Sequence, residues 1–104
     1  MTDPEVGTVV LVVELTARAD TIDELRERLL ELTRLTRAED GCVRYDLHAD
    51  ATDPLRLVFV EEWVTAQAHA AHDRTAWVGG FREHRARLLA EDGLRRLDLH
   101  RLEP

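Results

Sequence analysis

Apolar residues recur along this chain with two different periods, and the changes of period divide it into elements. Thr8 to Thr16 is rich in β-branched residues and predicts a strand. Both alternating sets in it are apolar: Val9, Leu11, Val13 and Leu15 on one side, Val10 and Val12 on the other. Glu14 interrupts only the second set. From Thr21 the period lengthens. Ile22, Leu25, Leu29, Leu32 and Thr36 follow three- and four-residue steps, so they share one face of a helix. Thr21 and Glu24 have capping-box spacing at its start, and Glu24 and Arg28 form an i,i+4 pair. Asp40-Gly41 supplies the stop, since glycine is free to take the left-handed conformation at a helix end.

Two-residue alternation then returns. Val43, Tyr45, Leu47 and Ala49 alternate with Arg44, Asp46, His48 and Asp50, which predicts a strand with one wet face. Asp53-Pro54 marks a turn, and Leu55 to Val64 follows as the second arm of an antiparallel hairpin. Leu57 and Phe59 point one way in it, Val58 and Val60 the other. Thr65 caps a short helical stretch through His72. A longer helix is predicted from about Ala76 to Ala90, with Trp77, Phe81, His84 and Leu88 on one stripe. Gly79-Gly80 inside it costs about 1 kcal/mol per glycine relative to alanine, which points to close backbone packing or a later helix start. Gly93 closes the segment, and Leu94 to Leu102 reads as the last strand. Met1 to Gly7, with Pro4 and Gly7 as breakers, reads as a flexible N-terminal arm ahead of one domain spanning residues 8–104.

The order β-α-β-β-α-β is the ferredoxin-like arrangement, an α+β fold with helices on one face of an antiparallel sheet. The uncovered face of such a sheet is normally polar. Here it carries Val10, Val12, Val58 and Val60, an apolar patch of the kind that marks an interaction site. A second copy of the chain, sheet against sheet, is the simplest cover, so a homodimer through the open sheet face is expected.

Composition narrows the partners. The 104 residues fit one domain, and 44% hydrophobic with 34% charged residues suits a globular chain. Every one of the 14 basic residues is arginine, yet the formal net charge is −7, which repels a phosphate backbone; no nucleic-acid partner is expected. No apolar run reaches membrane-spanning length, and Met1 to Gly7 lacks the apolar core of a signal peptide, so no membrane partner and a cytoplasmic location are expected. The single cysteine, Cys42, suits a reducing compartment and reads as a small packing residue at a strand start.

Several short segments, taken in order, resemble the antibiotic biosynthesis monooxygenase family. They are Glu14-Leu15-Thr16 at the end of the first strand, Arg37-Ala38-Glu39-Asp40-Gly41-Cys42 followed by Tyr45, and Phe59-Val60-Glu61-Glu62-Trp63. Ala71-His72 with Thr75, and the terminal Arg101-Leu102-Glu103-Pro104, complete the set. The resemblance covers roughly residues 8 to 104. It implies a dimeric α+β barrel with a cavity between sheet and helices, and oxidation of a phenolic, quinol or polyketide-like aromatic by O₂ without a bound cofactor. The Asn, Trp and His set of the haem-degrading branch has no counterpart in this chain, so no cofactor is expected.

The family's residues carry over singly. Trp63 stands where members often have tryptophan after an acidic pair, and His72 matches the histidine of the common Ala-His pair. Members often have a second histidine a few residues on; here Trp77 stands near that place. Cofactor-free oxygenation needs a dry pocket and a base that favours the deprotonated substrate, and histidine titrates closest to neutrality. His72 is therefore the candidate catalytic base. Trp63, Trp77 and Phe81 are candidate ring-contacting walls for a small aromatic molecule. Glu14 is the further candidate: as a pocket carboxylate, or as an ion-pair member on the open sheet face. His69 and His72 have helical spacing for a metal but no evident third ligand, so no metal site is expected. The alternatives to a monooxygenase are a non-catalytic ligand-binding dimer and a cofactor-free isomerase or cyclase on the same frame.

Overall fold

The computed structural model describes residues 8–104; the arm assigned to residues 1–7 lies outside the described residues. The first strand, β1, is Val9–Ala17, and the first helix, α1, is Ile22–Arg37. Strands β2 (Cys42–Ala49) and β3 (Arg56–Trp63) form the hairpin. Helices α2 (Ala66–Asp73) and α3 (Ala76–Leu88) follow, and β4 (Leu89–Leu99) closes the domain. The strands make one four-stranded antiparallel sheet in the order β2-β3-β1-β4, the α+β ferredoxin-like arrangement that the periodicity predicts.

The doubly apolar strands sort as alternation requires. Leu11 and Leu15 of β1, with Leu57, Phe59 and Trp63 of β3, pack under the helices, where Leu25, Leu29 and Leu32 of α1 and Leu88 of α3 meet them. On the other face Val12 lies opposite Val60 and Leu97, and Val10 opposite Leu99. Val10, Val12, Val58 and Val60 are each half-buried within one subunit, and Leu99 is 45% exposed. Glu14 occupies the same face, paired in register with Val58 and Arg95, its carboxylate 3.9 Å from the Arg95 guanidinium.

Four local expectations change. The Thr21 side chain does not cap α1: its hydroxyl donates to the Leu88 carbonyl at 2.6 Å, tying the start of α1 to the end of α3. Glu24 is drawn away from the helix start by Arg28 and Arg87, at 2.8 and 2.7 Å. A tertiary arginine outcompetes a backbone amide because both partners are charged. Val43 does not join the inner face of β2. A register irregularity between Cys42 and Arg44 shifts the alternation, leaving Val43 53% exposed and Cys42 packed against the core. At the other end, α3 stops at Leu88 and β4 starts at Leu89 rather than Leu94, because Ala17 pairs with Leu89 past an irregular step in the ladder. Finally, neither Gly79 nor Gly80 is packed against a backbone: a Cβ at either would meet nothing within 4 Å. The helix nevertheless begins at Ala76, with the Thr75 hydroxyl accepting from the Val78 amide.

Gly41 is the glycine that the fold requires. Its φ is +83°, and a Cβ there would lie 2.6 Å from the Ala68 Cβ and 2.9 Å from Val64 Cγ2. Its carbonyl also accepts from the Val64 amide at 2.9 Å, locking the α1–β2 turn onto the β3–α2 connection. Gly41→Ala is expected to lower stability by about 1–3 kcal/mol, read as a fall in the urea midpoint at unchanged slope; an unshifted midpoint would show that the turn relaxes freely.

Candidate active site

Alternation along β3 turns Leu57, Phe59, Glu61 and Trp63 toward the helices, so a carboxylate arrives among apolar neighbours. Glu61 is only 4% exposed, and its Oε1 accepts from Trp63 Nε1 at 3.1 Å. Burial pushes the Glu61 carboxyl up from the ordinary glutamate range, with the Trp63 N–H and the His72 ring opposing the shift.

Helix α2 lays two histidines against this strand. The Thr65 hydroxyl accepts from the Ala68 amide and fixes the helix start, and the three-residue step from His69 to His72 puts both rings on the sheet side. The His72 ring lies 4.7 Å from the Trp63 ring and 5.4 Å from Tyr45, centroid to centroid. Burial lowers the His69 pKa, which favours its neutral form.

Glu39, from the turn between α1 and β2, closes the arrangement. Its Oε2 accepts from His72 Nδ1 at 2.8 Å and from Trp77 Nε1 at 2.9 Å. A carboxylate oxygen can only accept, so the proton on this edge of His72 sits on Nδ1 and Nε2 carries a free lone pair in the neutral ring. One residue of α2 and one of α3 are thus held by the same oxygen atom.

Between sheet and helices lies a cavity of about 160 Å³. Val13, Leu15, Tyr45, Phe59 and Phe81 supply apolar wall, and Glu61 and His72 supply its titratable groups from the sheet and α2. Arg82 and Arg85 of α3 and Arg96 of β4 also border it. A second groove of about 220 Å³ runs between α1 and α3, lined by Leu35, Trp77, Gly80 and His84 among others. Leu32 and Phe81 border both spaces and so stand between them. The bare backbone of Gly80 leaves that groove open, which gives the glycine pair a consequence other than close packing.

The fold gathers some of the candidate residues and separates others. His72 and Phe81 face the cavity. Trp63, fully buried, stacks behind His72 and donates to Glu61, so it supports the wall rather than forming it. Trp77 lines the outer groove, packs against the core and is tied to the site by its N–H to Glu39. Glu14 is on the opposite face of the sheet. Cys42 is half-buried, and burial together with Glu39 and Glu61 pushes its thiol up, away from the thiolate. Among the described residues no group of three His, Cys, Asp or Glu side chains could hold a metal ion, and no helix is long and apolar enough to cross a membrane.

Glu39 and Glu61 were not singled out from the sequence. For Glu61 a signal existed: it follows Leu57 and Phe59 at two-residue steps, so an inward-facing set contains a carboxylate. Glu39 gave no such signal, because an acid before Asp40-Gly41 reads as a solvated helix end.

A buried histidine and carboxylate over a small cavity between helices and sheet is the setting in which relatives become informative. The family model for antibiotic biosynthesis monooxygenase matches residues 8–83. The chain belongs to that family. Among solved structures, a Pseudomonas aeruginosa protein is 28% identical with a TM-score of 0.88, covering 97% of this chain and 100% of that one. A Mycobacterium tuberculosis protein is 28% identical with a TM-score of 0.86, covering 94% and 98%. A Nitrosomonas europaea protein, described as a candidate antibiotic biosynthesis monooxygenase, is 25% identical with a TM-score of 0.86, covering 100% and 98%. Among curated proteins none matches the chain. The family match ends at residue 83, so it takes in His72, Trp77 and Phe81 but not Arg85 or Arg96.

The buried carboxyl gives a pH signature. A raised folded-state pKa means that Glu61 costs no stability below the unfolded glutamate pKa, and costs progressively more as pH rises through the folded value. Glu61→Gln is therefore expected to gain stability relative to the parent as pH rises above the ordinary carboxylate range. Thermal midpoints of both proteins across acid to neutral pH measure it; a constant difference would mean that Glu61 ionises as it does in the unfolded chain.

Proposed function

We propose that the protein is a cofactor-independent monooxygenase that oxidises a phenolic or quinol ring with O₂ in the cavity beneath α2 and α3. The observation that carries this reading is the orientation of His72. Glu39 holds Nδ1, leaving Nε2 as the available base, and the cavity beside it is mainly apolar. A carboxylate partner on the far nitrogen fixes the tautomer and stabilises the imidazolium formed on proton uptake.

His72 takes the phenolic proton, and the resulting phenolate is electron-rich enough to reduce O₂. A C–O bond forms at the adjacent ring carbon, giving a hydroperoxide after return of the proton. Loss of that carbon's hydrogen as a proton and cleavage of the O–O bond leave a carbonyl and water. The balance is quinol plus O₂ giving hydroxyquinone plus water: the ring loses electrons and O₂ is reduced. The His72 and Glu39 side chains are themselves largely buried, which strengthens the interaction between them.

The volume favours a single ring. A cavity of about 150 Å³ accommodates benzene, and this one is about 160 Å³. Monocyclic quinols fit that space; a fused tricyclic polyketide would need Phe81 and its neighbours to move.

The functional unit in this proposal is a two-fold homodimer with the valine faces together. Val10, Val12, Val58, Val60, Leu97 and Leu99 would be covered by their counterparts, and burial of such apolar surface contributes about 25 cal/mol per Å². Sedimentation at micromolar concentration is expected to give twice the subunit mass, and Val60→Lys to give single subunits with unchanged far-ultraviolet circular dichroism. Single subunits in the parent protein would remove the dimer from the proposal.

Oxygen consumption with methylhydroquinone tests the chemistry. Turnover above the uncatalysed background is expected, falling about 100-fold or more in His72→Ala, the usual contribution of a positioned general base. Uptake no faster than background, accompanied by a ligand-dependent rise in thermal midpoint, would identify a binding module instead.

A further inference from the structure

The cavity is bordered by three arginines in a chain that carries a net charge of −7. Arg82 and Arg85 lie three residues apart on α3, so both reach the same side of the helix. Arg96 comes from the inner face of β4, directly opposite Val13 in the ladder. Two of the three are already engaged. Arg82 donates to the Asp73 carbonyl at 2.8 Å and lies 3.7 Å from the Asp73 carboxylate. Arg96 donates to Asp98 through Nε at 3.1 Å and through Nη2 at 2.7 Å. Arg85 borders the same cavity, yet among the described residues it takes part in no ion pair.

A guanidinium has five donors in a planar fork whose natural complement is a carboxylate or phosphate. Nothing in the fold itself calls for Arg85. Its position in the last turn of α3 is favourable toward the helix dipole, and its exposed side chain borders both this cavity and a neighbouring groove beside Arg18 and Leu89. The walls between Arg85 and His72 are apolar, with Phe81 on α3 and Val13 and Leu15 on β1. A ligand that satisfies all of this has a ring for the walls, a hydroxyl for His72 and an anionic group for the arginine side. The cavity volume, suited to one ring, limits the anion to a small ring substituent.

We propose that the substrate is a monocyclic aromatic acid, a hydroxylated benzoate, whose carboxylate is anchored by Arg85 with Arg82 alongside and whose hydroxyl is presented to His72. This rests on the oxidative reading for the role of the hydroxyl, whereas the anion anchor stands on its own. Asp73 and Asp98 offset Arg82 and Arg96, so Arg85 is the guanidinium left to meet an anionic ligand. Fixing the carboxylate at one end holds the ring in register with the base at the other, so the anchor is a specificity determinant.

Calorimetric titration of the full chain with 2,5-dihydroxybenzoate and with its methyl ester tests the anchor at low salt. The acid is expected to bind about 10-fold or more tighter than the ester, the scale of one charge-assisted hydrogen-bonded pair. In Arg85→Ala that preference should fall to about three-fold or less while the ester's affinity is unchanged, and Arg85→Lys should restore part of it. Equal binding of acid and ester by the parent overturns the proposal, and so does a preference that survives in the Arg85→Ala, Arg82→Ala double variant. Oxygen uptake separates this from the oxidative reading. Acid bound selectively without O₂ consumption leaves the anchor standing and removes the oxygenase. Ester and acid oxidised alike does the reverse, and binding of neither removes the anchor while the oxygenase still stands or falls on methylhydroquinone.

Discussion

One carboxylate oxygen organises the functional half of this domain. Glu39 Oε2 accepts from a ring nitrogen on α2 and from another on α3, across sequence separations of 33 and 38 residues. Helix α2 has no strongly apolar face of its own, being half alanine with two histidines, and α3 carries an adjacent glycine pair beside its buried Val78 and Leu88. Their placement over the sheet therefore depends on specific polar contacts as well as on burial. Because the Glu39 side chain is largely buried, each bond is worth more than it would be at a wet surface, and loss of either donor would leave a charge poorly compensated. The same contact that docks the helices also sets the tautomer of His72, so fold and proposed chemistry share an interaction.

The rigid turn beneath it makes this possible. Gly41 takes a conformation that other residues adopt only under strain and lets the chain approach Ala68 and Val64 more closely than a side chain would permit. Glu39 sits two residues before that turn, so its reach to α2 is fixed by backbone geometry. On the other side of His72, Trp63 is fully buried and packs against the ring, so the histidine is confined between an aromatic plane and a carboxylate. A base held from two directions loses little conformational entropy when a substrate arrives, which is the condition for effective positioning.

Much of the architecture was legible as periodicity. The face of α1 bearing Leu25, Leu29 and Leu32 was readable because buried helical positions must repeat every three or four residues, and the valines of β1 and β3 because strand side chains alternate. The failures are equally physical. Thr21 and Glu24 matched a capping pattern, but Arg28 one turn away and Leu88 and Arg87, which only folding brings near, offered stronger partners. Val43 was placed by alternation on the inner face, and one irregular step in the ladder moved it out. Trp77 and Phe81 share a helical stripe, yet Trp77 lines the outer groove while Phe81 also reaches the cavity, since a stripe one turn wide can straddle two spaces.

The sequence by itself determined the order of elements and the inner and outer faces of the sheet. These depend on spacing along the chain, which steric rules convert directly into direction in space. Tertiary structure alone decided that Glu39 meets His72 and Trp77, that Glu61 and His72 border one cavity, and that Arg85 borders it with no ion-pair partner among the described residues. Those facts depend on the separation of groups remote in sequence, and electrostatic and hydrogen-bond energies vary with distance over a few ångströms, a scale on which periodicity carries no information.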